Sequence, residues 1–389
     1  MKTIGPIIEN TESFLISEIF NQKENSITYI GKDEREIINI KKKLKWLLPK
    51  QKILLFKAWD QIPYDNISPS KEVQTSRLET LYYLNTKTDE KIIILTTINA
   101  IIQKIIPKHE LKKNYIKISK SSKLKIDELL SLLIKLGYER VSIVRDKSEF
   151  AVRGSIIDIF LPQLKNPIRI DLFDNDIESI FEFDVITQTR ISKSNLNNLS
   201  INASTELIID TEHLEKFRSN FREKFQDYRK SQVYNLFSEG IIPSGGEQYL
   251  PLFNKKLDTL FDYLKQNIFI VNNDINELFE ERIENLYDYY NARIDSNDSF
   301  YLDPSFLFID KKNFNNAIDN FELIKLSPFY NEGFTKTNLK KINNLSSIRK
   351  EIDFDFIKKF FEINSKQNKI IICCNSKGSL EKVFKILSE

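Results

Sequence analysis

The run KIIILTT, residues 91–97, constrains the fold more than any other stretch of this sequence. A strand with one wet face alternates apolar and polar side chains. Here Ile92, Ile93, Ile94 and Leu95 follow one another without a polar break. Both faces of such a strand must be covered, which is the condition of a strand inside a parallel sheet flanked by helices. The neighbours agree. SITYIG (26–31) and KILLF (52–56) are short apolar or β-branched runs, whereas KDEREIINIKKKLKWLL, SKEVQTSRLETLYYLN and INAIIQKII repeat apolar residues at helical spacing, the last stopped by Pro107. PYDNISPS (63–70) reads as a loop. Strand–helix alternation over residues 1–114 predicts the first half of a doubly wound α/β domain.

Residues 115–200 follow another pattern. IDELLSLLIKLGY predicts a helix ended by Gly137. Three strands then follow, over about 149–160, 167–173 and 177–184, with DND as a tight turn between the last two. This predicts a small α+β insert. Alternation within EFAVRGSIIDIF sets Phe150, Val152, Gly154, Ile156 and Phe160 on one face and Ala151, Arg153, Ser155, Ile157 and Ile159 on the other. In PIRIDLFD, Ile168, Ile170 and Leu172 point inward while Arg169, Asp171 and Phe173 point outward. In IESIFEFD, Ile177, Phe181 and Phe183 are expected inward, with Glu178, Ile180 and Glu182 outward. The outer face then mixes arginine, acid and apolar side chains, either a solvated face with weak ion pairs or the composition enriched at protein–protein hot spots.

Mixed structure resumes over 201–330, with NIFIVNN as a strand among long helices. Residues 331–350 are polar and read as a linker; residues 351–389 read as helix, strand (KIIICC) and helix, the last with Ser379 as N-cap. So short a unit buries little surface, so the sequence is expected to stop inside a further small α/β domain.

Chemistry is sparse. Of two histidines, His109 and His213, neither stands at motif spacing from a nucleophile or carboxylate, and both are expected at the surface. Zinc spacings such as CxxC or HExxH do not occur. Cys373 and Cys374 are adjacent and, as strand neighbours, point apart, so no disulfide and a reducing cytoplasm are expected. Neither a signal peptide nor a membrane-spanning run is read. GIIPSGGE (240–247) has the glycine spacing of a phosphate loop, yet Gly246 and Glu247 stand where lysine and Ser/Thr are needed. It reads as a turn, and no nucleotide, cofactor or metal site is expected. A net charge of +3 does not announce nucleic-acid binding. The lysines from Lys41 to Lys45 lie opposite Ile37, Ile40, Leu44 and Leu47 on one helix and read as its solvated side.

Five ordered stretches carry a resemblance: AWDQIPYDNISPS, SRLETLYYL, GYERVSIVRDKSEFAVRGSIIDIF, PIRIDLFDNDIESIFEFD and TQTR. Together they resemble the N-terminal region of the bacterial transcription-repair coupling factors, over nearly the whole chain and most weakly from about 185 to 350. The RGSIIDIF…RIDLFD core is also similar to UvrB, whose related module docks onto UvrA. The resemblance implies a UvrB-like doubly wound domain with a degenerate loop that binds no nucleotide, over 1–114 and 201–330, interrupted by a UvrA-binding insert at 115–200. It also implies that UvrA is contacted through Arg153, Arg169 and Phe173, with Glu178 on the same face. For the longer family proteins it implies RNA polymerase and double-stranded DNA as partners, and ATP with Mg²⁺ in motor domains outside this chain. GPIIENTESFL lacks the lysine and Ser/Thr of a phosphate loop, and no aromatic hairpin follows PYDNISPSKEV, so a UvrB-like ATP-dependent helicase is not expected; a nonspecific DNA-binding scaffold is the remaining alternative.

Overall fold

A computed structural model describes the chain except for residues 1, 87–89, 121, 192–195, 296–299, 340–353, 367–368, 373, 375 and 389. Residues 1–339 form one unit and 340–389 a second.

The first unit is built on a seven-stranded sheet in which every pairing is parallel. Its strands are β1 (Lys2–Gly5), β2 (Ser26–Gly31), β3 (Ile53–Phe56), β4 (Ile93–Thr97) and, after the insert, β12 (Asn267–Asn272), β13 (Glu322–Leu326) and β14 (Thr335–Lys336). In space they run β14-β1-β13-β12-β2-β4-β3. β4, the strand of the KIIILTT run, is buried throughout. Ile93 and Leu95 join one apolar cluster with Leu15, Ile16 and Phe20 of helix Glu12–Gln22 and Ile37, Ile40 and Leu44 of helix Glu34–Leu47. On the opposite face Ile94 packs with Leu78, Leu81 and Tyr82 of helix Lys71–Thr86 and with Phe279 and Leu286 of helix Ile275–Asp295. Each such aliphatic side chain contributes about 1.5–3 kcal/mol by leaving water, so two covered faces are the main stabilising feature of this unit.

The insert enters on β5 (Tyr115–Ser119) and leaves on β11 (Asn198–Asn202), which pair antiparallel as a two-stranded neck. Helix Ile126–Lys135 follows the entry and ends at Gly137, whose φ is +84°. Tyr138 N–H donates to Leu133 O at 3.0 Å and Gly137 N–H to Ile134 O at 2.9 Å, the paired bonds of a Schellman cap. A Cβ at Gly137 would stand 2.6 Å from the Thr205 methyl, so glycine is required twice over.

Beyond the helix lies a five-stranded sheet ordered β10-β9-β8-β7-β6. β6 is Glu139–Arg140, β7 Glu149–Arg153, β8 Ile156–Ile159, β9 Ile168–Phe173 and β10 Asp176–Glu182. Two of the expected face assignments are corrected here. EFAVRGSIIDIF is a hairpin rather than one strand: Arg153 pairs with Ile156, and Gly154 at φ +63° opens a two-residue turn. Reversal at that turn carries Ile157 into the core, fully buried. A β-bulge between Ile177 and Ser179 then shifts β10 by one residue against β9. Beyond the bulge the sides exchange: Ile180 is buried in the core, and Phe181 and Phe183 turn to the outer face, where both meet arginines.

After the neck the chain is largely helical, held by an aromatic cluster of Phe217, Phe221, Phe237, Tyr249 and Phe253. His213 corrects another expectation: it is 2% exposed, with Nδ1 2.7 Å from Asp210 Oδ1 and Nε2 3.6 Å from Glu110 Oε2. His109 is at the surface. The predicted linker begins instead as β14, the edge of the parallel sheet, and residues 340–350 lie outside the described residues. In the second unit, helices Phe354–Ser365 and Lys377–Ser388 stand where expected. Residues 369–372 form no strand, and the cap of the last helix is Ser376, whose Oγ accepts from Ser379 N–H at 3.1 Å. Cys373 lies outside the described residues, and Cys374 is a free thiol. No described helix is long and apolar enough to cross a membrane.

Candidate partner-docking face

The outer face of the insert is organised around a carboxylate that alternation alone did not single out. Asp158 on β8 lies directly opposite Arg169 on β9 and opposite Ala151 on β7, and its side chain is 1% exposed. A carboxylate that far from water needs charged donors. Arg169 supplies two, Nε to Oδ1 at 2.7 Å and Nη2 to Oδ2 at 2.9 Å, and Arg153 Nη2 supplies a third to Oδ2 at 2.7 Å. Two guanidiniums neutralise this carboxylate, and the Asp171 carboxylate on the same strand also acts on Arg169.

The two arginines hold different positions. Arg169 is 14% exposed, its guanidinium lies 4.5 Å over the Phe183 ring, and its Nη1 donates to Gln188 O at 3.3 Å. The hydrogen bonds to Asp158 push its pKa above the already high arginine value. Arg153 is 43% exposed and anchored at one end only. Arg169 therefore braces the face from below, and Arg153 keeps much of its guanidinium in water.

Phe173 closes β9 just before the turn at Asp174, which has φ +57°, and it pairs with Asp176 across the hairpin. Its ring is 74% exposed. Glu178 is the extra residue of the bulge and is exposed. The four residues expected at the site thus share one sheet, with Phe173 and Arg153 presented outward, Arg169 drawn inward and Glu178 displaced by the bulge. Asp158 and Gln188 were missed. The signal for Asp158 was the Gly154–Ser155 pair: read as a two-residue turn, it puts Asp158 beside Arg153 on the hairpin and next to the following strand.

GIIPSGGE behaves as a turn. Gly245, at φ +75°, donates its N–H to Ser68 Oγ at 3.0 Å, and Ser68 donates to Glu247 Oε2 at 2.8 Å. A Cβ on Gly245 would stand 2.7 Å from the Asp65 carbonyl oxygen. Burial pushes the Glu247 carboxyl up. This loop spends its amide and its acid on the segment 65–68 of its own chain.

A parallel α/β unit carrying an insert of mostly antiparallel strands on a two-stranded neck, with an exposed aromatic and braced arginines on that insert, defines an α/β protein with an inserted sheet domain. Residues 116–206 match the UvrB interaction domain family. Over 381 residues the chain is 30% identical to the transcription-repair-coupling factor of Rickettsia bellii, covering 96% of this chain and 33% of that protein. The Haemophilus influenzae transcription-repair-coupling factor is 33% identical over 283 residues, 72% of this chain and 24% of its own length. That of Escherichia coli is 28% identical over 285 residues, 73% of this chain and 24% of its own length. The chain is homologous to the N-terminal region of the transcription-repair-coupling factors, and it spans a quarter to a third of the length of these relatives.

Proposed function

We propose that this chain is the UvrA-docking part of a transcription-repair coupling factor, which brings the nucleotide excision repair machinery to stalled RNA polymerase in the cytoplasm. The observation that carries the reading is the 74% exposed Phe173 on the same sheet as arginines fixed on a buried Asp158, inside a stretch that matches the UvrB interaction domain. Phe173 is the apolar anchor and Arg153 the charged one. Arg169 acts by holding both Asp158 and the face in place, and Glu178 sits at the rim. Residues 1–114 and 201–330 are, on this reading, a UvrB-like doubly wound scaffold with a degenerate loop. ATP, Mg²⁺, double-stranded DNA and RNA polymerase are engaged by other parts of the longer family proteins.

Binding of purified UvrA to the 389-residue chain tests this. Phe173→Ala is expected to weaken it by about 2 kcal/mol, the magnitude of a hot-spot anchor, with an unchanged thermal melt. Equal affinity of the variant and the parent would remove Phe173 from the interface. ATP turnover by the purified chain would contradict the scaffold reading.

A further inference from the structure

A ring the size of phenylalanine covers at most about 250 Å², whereas a stable interface needs about 800 Å² from each partner. The docking face must therefore extend, and the direction is given by Arg169. Its third bond, to Gln188 O, ties the centre of the face to the turn that follows β10. That turn is heavily bonded. Asp184 Oδ1 accepts from Ile186 N–H at 3.0 Å, Thr187 N–H at 2.8 Å and the Thr187 hydroxyl at 3.0 Å. Gln188 N–H donates to Asp184 O at 2.8 Å, and the Gln188 amide donates to Val185 O at 2.8 Å. At the tip stands Ile186, 90% exposed, the highest value of any large apolar side chain among the described residues. Single surface isoleucines are common, but this one is fixed by hydrogen bonds, and Ile191, 50% exposed, follows the same turn.

We propose that Ile186 is a second apolar anchor for the same partner, so that the interface runs from Phe173 across Arg153 to the Asp184–Arg190 turn. This inference rests on the UvrA-docking reading above. Phe173 and Arg169 are four residues apart on one strand, about 13 Å at the rise of a β-strand, and the turn lies beyond Arg169. A matching surface carries two apolar sockets separated by an acidic strip, which receives Arg153. Because the turn is already bonded in the unbound chain, little conformational entropy is lost when Ile186 is seated.

The test measures Kd for purified UvrA with the parent chain, Phe173→Ala, Ile186→Asp and Ile186→Val, at one salt concentration, with a thermal melt of each. Ile186→Asp is expected to weaken binding by about tenfold or more and Ile186→Val by less than about twofold; the melts stay superimposed because Ile186 is 90% exposed. If Ile186→Asp binds like the parent while Phe173→Ala is weakened, the second anchor is wrong and the docking reading stands. If Phe173→Ala also binds like the parent, both fall.

Discussion

Asp158 shows how one residue sets the charge and geometry of a face. Its 1% exposed carboxylate is held by Arg169, largely buried, and by Arg153, half in water. The exposed pair contributes at most about 1 kcal/mol, so the buried Arg169–Asp158 contact dominates. Asp158→Ala leaves two guanidiniums facing a small cavity, and the expected cost is about 3 kcal/mol, the usual penalty for stripping one partner from a buried pair. A urea midpoint measures it; a shift below about 0.5 kcal/mol would mean that water already solvates the pair. UvrA affinity should fall with it, because Arg153 loses the contact that orients it. Residue-level features were only partly legible. The outward side of β9 follows from strict alternation in PIRIDLF. The buried acid did not, because recognising it requires knowing that Gly154 and Ser155 reverse the chain.

At the scale of elements, the insert is joined to the parallel unit by more than its neck. Arg77, fully buried in helix Lys71–Thr86, meets Glu206 just past β11, with Nε 2.5 Å from Oε1, and its Nη1 donates to Lys57 O at 2.8 Å. The guanidinium also lies 4.4 Å over the Phe56 ring. Glu206→Ala strands that guanidinium, with an expected loss of about 3–5 kcal/mol. Replacing both partners, Arg77→Met with Glu206→Leu, should recover most of it, since a packed apolar pair needs no desolvated charges. Denaturation of the single and double variants decides this; additive losses would show that the two residues act separately. The elements themselves were legible wherever one period ran without interruption, as in β4 and in the helices that cover it. They were misread where a single residue changes the register. The bulge in β10 moved Phe181 and Phe183 to the other face, and no periodicity marks where a bulge falls. β13 and β14 went unseen because ELIKL is short and Thr335–Lys336 is only two residues long. Neighbouring strands define both more than their own composition does.

For the first unit as a whole, the question is whether the insert folds independently. One apolar cluster runs without a break from Ile94 and Leu81 of the parallel unit, through Ile118, Leu129, Tyr138 and Ile201, to Ile157 and Ile170 of the five-stranded sheet. A polar contact crosses the same boundary: Tyr82 Oη donates to Ala203 O at 2.9 Å. A neck of two strands alone would let the insert unfold at its own midpoint, but a shared core couples the two, because melting either exposes apolar surface of the other. Residues 1–339 are therefore expected to unfold in one transition, with the calorimetric and van't Hoff enthalpies equal. Two resolved transitions would mean that the neck is a hinge. A single transition would instead fix the orientation of the docking face relative to the scaffold, so that a partner seated on Phe173 is held rigidly against the parallel unit. Glu206→Ala provides the control: weakening this junction should separate the insert's transition from the rest and leave the Phe173 surface itself unaltered.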